Sequence, residues 1–168
     1  MTKTAIEIRR AAHDDWRAVK RVRLAALQQA PYAFGSTFEG ERDRTAAEWQ
    51  RFIVDGERPT HNVIYIAYRG AEQVGLAGAF HESKTSVMLV SMWVSPTARR
   101  TGAGRLLTRA ILEWAAEVRA RKVTLWVADD NPEAIALYEA TGFIPTGKHT
   151  PMRSAPQRQM SEFARKPR

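Results

Sequence analysis

The chain of 168 residues contains no cysteine, and this absence excludes several kinds of chemistry. Disulfides, a thiolate nucleophile and a cysteine-ligated zinc site all require a thiol. No apolar run approaches the roughly eighteen residues of a membrane span, and the first fifteen residues lack the apolar centre of a secretion signal. We therefore expect a cytoplasmic protein that has no membrane segment and uses no metal.

Acidic residues are scarce relative to basic ones. The chain has 18 Asp and Glu against 26 Lys and Arg, which gives a formal net charge of +8. Clustered Lys and Arg favour nucleic-acid binding because they attract phosphates. The basic residues are dense only over 99–109 and 148–168, and Phe163 is the one Phe, Tyr or Trp of the second cluster. A nucleic-acid partner is therefore not favoured, and an anionic cofactor would use the first cluster equally well.

The spacing of apolar residues predicts a single domain over 1–168 with a mixed α/β fold. Alternating or continuous apolar runs predict seven strands, at residues 5–9, 62–69, 73–82, 86–95, 122–128, 142–147 and 157–165. Helical spacing predicts four helices, at residues 14–29, 45–53, 103–118 and 131–141. The order is β-α-α-β-β-β-α-β-α-β-β. The three strands between 62 and 95 should form an antiparallel meander, since their connections are too short for crossovers.

Local signals mark both ends of the second helix. Thr45 and Glu48 have the identities and the spacing of a capping box. The sequence Asp-Gly-Glu-Arg-Pro at 55–59 contains residues that terminate helices. We expect the helix to begin directly after Thr45 and to end before Pro59.

The turn before the third helix has the composition of an anion-binding loop. Pro96 cannot donate to a strand ladder and ends the strand before it. The helix that follows begins with backbone N–H groups that lack intrahelical partners and attract anions. Gly102 and Gly104 let a phosphate approach the backbone. Three arginines add charge that pairs with phosphate oxygens: Arg99, Arg100 and Arg105.

Two familiar nucleotide-binding loops do not match this turn. It lacks the Gly-Lys-Ser/Thr of a P-loop, and Leu107 stands where the dinucleotide fingerprint needs a third glycine. Taken alone, the turn is equally compatible with a glycine-rich connection whose arginines are solvated. A second sequence block is needed to decide between these interpretations.

Two blocks resemble those of the GCN5-related N-acetyltransferases, the GNAT superfamily. Residues 99–104, Arg-Arg-Thr-Gly-Ala-Gly, match its Arg/Gln-x-x-Gly-x-Gly/Ala signature. Residues 131–143 match its second block, Asn-x-x-Ala-x-x-Leu-Tyr-x-x-x-Gly-Phe, and residues 23–27 and 33–36 resemble a bacterial small-molecule branch. The resemblance spans 5–165 in the expected order. It implies the GNAT fold, a central mixed and largely antiparallel seven-stranded sheet flanked by four helices.

The resemblance also implies acetyl-CoA as co-substrate, with its pyrophosphate at the backbone amides of 99–104. In this family the strand that ends here at Val94 carries a bulge and splays from the next strand, and the pantetheine arm lies in the gap. Asn131 would cap its helix beside that arm. The residues implied in cofactor binding are Trp93, Val94, Arg99, Arg100, Thr101, Gly102, Ala103, Gly104, Arg105, Asn131, Ala134 and Tyr138.

The implied reaction is direct attack of a neutral amine on the thioester, as in an acetyl-CoA-dependent N-acetyltransferase. It needs a base for the ammonium proton and an acid for the departing thiolate. Tyr138 matches the family tyrosine that often serves as the acid, and a buried core aromatic is the alternative. The strand at 86–95 contains no carboxylate. The base therefore stays open, with these candidates: Glu82, Glu39, His81, His149 or a water held by backbone groups.

The acceptor side is the least defined by the sequence. In this fold the segment around 31–39 walls the acceptor pocket, so Phe34, Glu39 and Ser91 are candidates for substrate binding, with a core role as the alternative for Phe34. We expect a primary amine of a small molecule as acceptor. A protein N-terminus or lysine, or a role as an acyl-CoA-binding sensor without turnover, remains open. Relatives are often dimers, which makes a homodimer compatible with the resemblance.

Overall fold

The computed structural model describes residues 4–53 and 61–168. The strands are β1 Ile6–Arg10, β2 Asn62–Arg69, β3 Glu72–His81, β4 Ser86–Val94, β5 Lys122–Ala128, β6 Ile144–Met152 and β7 Ala155–Arg165. The helices are α1 Trp16–Gln29, α2 Phe38–Arg42, α3 Ala46–Ile53, α4 Ala103–Glu117 and α5 Pro132–Ala140. Short 3-10 turns lie at His13–Asp15 and Pro96–Ala98. The chain is thus mixed α/β, as predicted.

The described strands form one seven-stranded sheet in the order β1-β2-β3-β4-β5-β7-β6. The pairs β1–β2, β2–β3, β3–β4, β5–β7 and β6–β7 are antiparallel, and β4 and β5 are parallel. The predicted meander of β2, β3 and β4 is confirmed. The parallel pair in mid-sheet follows from the crossover through α4, since a parallel connection requires a long segment between its strands.

The structure differs from the predicted elements in two places. A fifth helix, α2, spans only five residues, which is too short to show a helical repeat. It begins at Thr37, whose hydroxyl accepts a hydrogen bond from the Gly40 amide at 3.1 Å. Strand β6 is predicted over 142–147 and runs instead to Met152. It lies at the edge of the sheet, where prolines are tolerated because one side of the strand needs no donors.

The capping box before α3 is confirmed. The Thr45 amide donates to Glu48 Oε2 at 2.6 Å, and the Glu48 amide donates back to Thr45 Oγ1 at 3.3 Å. The predicted helix end at 55–59 lies outside the described residues. Within 4–53 and 61–168, no helix has both the length and the apolar character that crossing a membrane demands.

The sheet is covered on both faces. On one face α4 and α5 pack against it through an apolar cluster that includes Leu107, Ile111 and Trp114. On the other face α1 and α3 bury a second cluster. Burying each large apolar side chain contributes about 1.5–3 kcal/mol. Because both faces of the sheet are packed, the central strands and their ends are held in fixed positions.

Candidate active site

The central feature of the site is a gap between β4 and β5. The two strands pair over a few residues only, and the last pair joins Met88 to Thr124. Beyond it β5 keeps its partner β7 as far as Ala128, and β4 keeps its partner β3 as far as Val94. Each strand therefore presents one unpaired edge to the gap. Backbone donors and acceptors on such edges require partners.

A β-bulge shapes the β4 side of this gap. The pairing of β4 with β3 slips between Val90 and Trp93, where Ser91 and Met92 together oppose a single residue of β3. Ser91 has a φ of 58°, in the left-handed region that residues other than glycine seldom occupy. A bulge bends its strand and redirects the backbone groups around it. Both the bulge and the splay agree with what the sequence resemblance implies.

Helix α4 begins with open backbone amides. Its N-cap, Gly102, has a φ of 90°, and no side chain of the described residues caps the helix. The Thr101 hydroxyl donates instead to the Ala98 carbonyl at 2.6 Å. A Cβ built on Gly102 would meet no atom within 4 Å, so a ligand can reach the backbone there. Free amides at the positive end of a helix dipole form an anion site.

Gly104 is required for a different reason. A Cβ built there would lie 3.0 Å from Leu137 Cδ2, which is closer than side chains normally approach. The first turn of α4 therefore packs closely against α5, and a larger residue at 104 would have to displace the Leu137 side chain. Gly102 keeps the backbone accessible, whereas Gly104 sets the distance between the two helices that carry the sequence blocks.

The three arginines of the loop have different roles in the structure. Arg99 points back to the sheet, where its Nε donates to the Val94 carbonyl at 3.3 Å and its Nη2 to Gln29 Oε1 at 3.3 Å. The Trp93 indole donates to the same Gln29 oxygen at 2.8 Å. Arg100 and Arg105 are exposed, and neither forms an ion pair within the described part of the chain. They remain available for a bound anion.

Helix α5 carries the second block. The Asn131 side chain accepts a hydrogen bond from the Ala134 amide at 3.1 Å and so caps the helix, as predicted. Tyr138 is 5% exposed and packs edge-on against Phe143, with 5.8 Å between ring centroids. Its hydroxyl makes no hydrogen bond to a described residue. Burial raises the pKa of Tyr138 well above its ordinary value, so the hydroxyl keeps its proton at neutral pH.

Glu82 lies at the closed end of the gap. Its Oε2 accepts hydrogen bonds from Ser86 Oγ and from Thr124 Oγ1, each at 3.2 Å. Thr124 is the last residue of β5 that pairs with β4, so the carboxylate lies one hydrogen bond from the point where the strands part. Glu82 is otherwise exposed and therefore accessible to a solute.

The two histidines considered as bases have other contacts. His81 Nδ1 lies 3.2 Å from the Ser83 carbonyl, and its ring packs against Trp114. His149 Nδ1 lies 2.9 Å from Ser161 Oγ. Among the titratable candidates, Glu82 is thus the one whose side chain hydrogen-bonds a residue at the apex of the gap, Thr124.

The acceptor candidates separate into two places. Phe34 is 6% exposed, and the Arg23 guanidinium lies 4.7 Å from its ring centroid. The same guanidinium donates from Nη1 to Ser91 Oγ at 2.9 Å, so Phe34 and Ser91 meet through Arg23. Glu39 instead lines a cavity of about 480 Å³ together with Leu27, Gln28, Pro31, Thr37 and Phe38.

A cavity beside the bulge was not anticipated from the sequence. It has a volume of about 170 Å³ and lies between α3 and the strands β2, β3 and β4. Gly78 and Ser91 line it along with these residues: Phe52, Asn62, Val63, Ile64, Leu76, Ala79, Phe80 and Val90. Among the described residues, the lining is mostly apolar and includes no carboxylate or basic side chain.

Sequence reasoning also missed the partners of Arg23. Glu41 is 1% exposed and bonds Arg23, yet nothing local in the sequence sets it apart from surface glutamates. Arg23 did carry a signal: Val19, Ala26 and Leu27 lie four residues before it and three and four after it. A helix turns once per 3.6 residues, so an arginine at this spacing points into the core and requires a buried partner.

Sequence comparison matches residues 21–143 to the acetyltransferase (GNAT) family. Mycothiol acetyltransferase of Gordonia bronchialis is a curated relative. It is 33% identical over 131 residues, which cover 74% of this chain and 39% of that protein. The chain thus spans well under half the length of this relative.

Solved structures share the fold over nearly the whole chain. A GNAT-family acetyltransferase of Streptococcus pneumoniae superposes with a TM-score of 0.80 at 18% identity, covering 96% of this chain and 98% of that one. The protein yncA of Salmonella typhimurium, solved with its cofactor acetyl-CoA, has a TM-score of 0.78 at 16% identity and covers 98% and 95%. Since the family match extends over residues 21–143 of 168, the chain belongs to the GNAT family of acetyltransferases.

Proposed function

We propose that residues 1–168 form a single N-acetyltransferase domain, which transfers the acetyl group of acetyl-CoA to the primary amine of a small molecule. One observation carries the proposal. The uncapped N-terminus of α4 follows strand β4, whose edge toward β5 is unpaired beyond Met88. A co-substrate with a pyrophosphate and an amide-bearing arm fits both features. The pyrophosphate satisfies the helix amides, and the arm offers hydrogen-bond partners to the strand edge.

The cofactor contacts follow from this arrangement. The amides of 102–105 would hold the pyrophosphate, with Arg100 and Arg105 supplying charge. The backbone of Trp93 and Val94 would bind the arm as a neighbouring strand does. Arg99, which the resemblance implies in cofactor binding, would also hold the end of β4 through the Val94 carbonyl.

The same chain supplies groups for the chemistry. Acetyl-CoA would present a thioester carbonyl to an unprotonated amine. Glu82 at the apex of the gap would remove the ammonium proton, directly or through a water. Tyr138 would donate its proton to the departing sulfur, because a tyrosine hydroxyl, whose ordinary pKa is about 10, carries its proton at neutral pH. Backbone amides near the bulge would stabilise the developing oxyanion.

Two observations support a small acceptor. The cavity of about 170 Å³ beside Ser91 has room for a group of several non-hydrogen atoms, given that one water takes about 30 Å³ of liquid. The related protein of Gordonia bronchialis carries the name of an acetyltransferase of the small molecule mycothiol. The apolar lining of the cavity favours an amine with an apolar substituent over a polycation.

The proposal is tested by measuring free CoA released from acetyl-CoA across a panel of amines and peptide N-termini. We expect turnover with at least one small primary amine. Turnover with peptides alone would replace the proposed acceptor class by a protein acceptor. Binding of acetyl-CoA without any turnover would contradict the enzymatic proposal and favour a sensor of acyl-CoA.

The role of Glu82 is tested with Glu82→Gln, which retains a hydrogen-bond acceptor for the hydroxyls of Ser86 and Thr124. General base catalysis typically contributes about 10²–10⁴-fold, so we expect kcat to fall by about that factor and the acidic limb of the pH–rate profile to disappear. Glu72→Gln, at the start of β3, serves as the matched control. An unchanged pH profile in Glu82→Gln would remove this residue as the base.

A further inference from the structure

A buried ion pair joins the first two helices. Arg23 in α1 is 6% exposed, and Glu41 in α2 is 1% exposed. Two bonds connect them: Arg23 Nε donates to Oε2 at 3.0 Å and Nη2 donates to Oε1 at 2.9 Å. This two-pronged geometry fixes the orientation of the guanidinium plane. Replacing a buried ion pair by apolar residues is often neutral or stabilising, so the pair invites an explanation beyond stability.

The third donor of Arg23 reaches the β4 bulge. Nη1 donates to Ser91 Oγ at 2.9 Å, and Ser91 is the bulge residue with a φ of 58°. A backbone conformation of this kind persists only where the surroundings hold it in place. The Arg23 side chain of α1 makes this contact with Ser91, and Glu41 fixes Arg23 in turn.

The same ion pair also fixes the 31–39 segment. The guanidinium lies 4.7 Å from the Phe34 ring centroid and 5.5 Å from that of Phe52. The Ser36 side chain hydrogen-bonds the Glu41 carboxylate. One arginine thus connects the bulge of the cofactor gap with the segment that walls the acceptor side in this fold.

Glu41 is ionised in this setting. Burial pushes the pKa of Glu41 up, but the hydrogen bonds and charge of Arg23, with Ser36 and Arg44, outweigh it and hold the pKa below its ordinary value. A carboxylate that stays charged and doubly bonded keeps its partner in place.

We propose that Arg23 is a positioning residue, which locks the β4 bulge through Ser91 and holds the 31–39 segment against it. These contacts keep the backbone amides of the bulge oriented toward the gap. They also fix the position of the acceptor side relative to those amides. Arg23 does not line the cavity beside Ser91 and would act through Ser91 and the 31–39 segment. This inference rests on the proposed acetyl transfer for its catalytic consequence, whereas the lock itself is a property of the free chain.

The test uses variants that keep the ion pair or its charge. Ser91→Ala removes only the acceptor of the Nη1 bond. Arg23→Lys keeps the positive charge beside Glu41 but loses the paired hydrogen bonds to Glu41 and the bond to Ser91. Ser161→Ala, also a strand serine with a hydrogen-bonded hydroxyl, is the control for Ser91. Arg9→Gln, which breaks an exposed two-bond pair with Glu7 on β1, is the control for Arg23.

Two readouts are measured on each variant. Hydrogen exchange of the amides in 89–94, measured without ligand, should accelerate at least tenfold in Ser91→Ala and Arg23→Lys and stay unchanged in both controls. With an active acceptor, kcat should fall about ten- to a hundredfold, as misplacement by about 1 Å does elsewhere, and the KM for acetyl-CoA should rise, since its arm would bind the backbone of Trp93 and Val94. The kcat of the double variant should be no lower than that of the slower single variant, because both single substitutions remove the same bond between Arg23 and Ser91.

Each outcome decides the inference. Unchanged exchange in Ser91→Ala would overturn the lock, and faster exchange with unchanged kcat would overturn its catalytic role. Effects that multiply in the double variant would show that Arg23 acts by another route. If the wild-type chain acetylates no acceptor, the proposed function fails, and the exchange comparison alone decides whether Arg23 holds the bulge.

Discussion

Single residues in the loop before α4 differ in what surrounds them. Gly102 and Gly104 belong to one signature, yet a side chain at Gly102 would meet open space and a side chain at Gly104 would meet Leu137. Arg99 belongs to the same signature and hydrogen-bonds the Val94 carbonyl of β4 and the Gln29 side chain of α1. Identity within a motif therefore does not imply a shared physical role.

The two glycines should respond differently to substitution. Gly102→Val places a branched side chain over the open amides at a φ of 90°, and we expect acetyl-CoA affinity to fall more than tenfold in calorimetry. Gly104→Ala should instead destabilise the fold by about 1–3 kcal/mol through overpacking. Adding Leu137→Ala should restore part of the stability lost in Gly104→Ala. Unchanged affinity in Gly102→Val would remove the pyrophosphate from this loop.

Tyr138 is a second residue whose role can be isolated. Its hydroxyl has no hydrogen-bond partner among the described residues, so Tyr138→Phe should change the melting temperature little. We expect kcat to fall by about 10²-fold or more if the hydroxyl protonates the leaving thiolate, with acetyl-CoA affinity unchanged. Tyr65→Phe, at a half-buried tyrosine of β2, is the control. Equal turnover in Tyr138→Phe and wild type would assign the proton to solvent.

At the scale of elements, the α1–α2 pair has the clearest energetic consequence. Arg23 and Glu41 compensate each other's charge in a site that excludes water. Removing one partner of such a pair typically costs about 3–5 kcal/mol, because the other charge is left buried and unpaired. The free energy of unfolding should therefore depend on the ionisation of Glu41.

This dependence has a defined sign. The pKa of Glu41 is lowered in the fold, so its stabilising contribution is complete above the unfolded pKa of about 4.3 and is lost as pH falls through the lowered value. Glu41→Gln should be less stable than wild type at neutral pH in urea titrations. The difference should shrink as the pH drops below about 4. A difference independent of pH would contradict the ionised pair.

The elements also show what sequence patterns can predict. The meander, the capping box at Thr45 and the cap at Asn131 depend on residues close in sequence, and each was predictable. The bulge at Ser91 was expected only from the resemblance, because its backbone depends on pairing with β3 and on the contact with Arg23. The Arg23–Glu41 pair and the turn of Arg99 toward Gln29 depend on contacts across 18 and 70 positions, which no local pattern specifies.

At the scale of the molecule, the site depends on the strand order. The crossover through α4 makes β4 and β5 parallel neighbours, while β7 returns to pair with the far side of β5. With α4 and α5 on one face and α1 and α3 on the other, the gap lies between two covered faces. The central claim is that acetyl-CoA occupies this gap with its pyrophosphate at the start of α4.

The most direct test is an amide-resolved NMR titration of the ¹⁵N-labelled chain with acetyl-CoA. We predict that the amides of 102–105 and 89–94 shift together with one binding constant, while those of β1, at the far edge of the sheet, do not move. Shifts confined to other regions, such as the basic stretch 148–168, with the amides of 102–105 unperturbed, would contradict the claim.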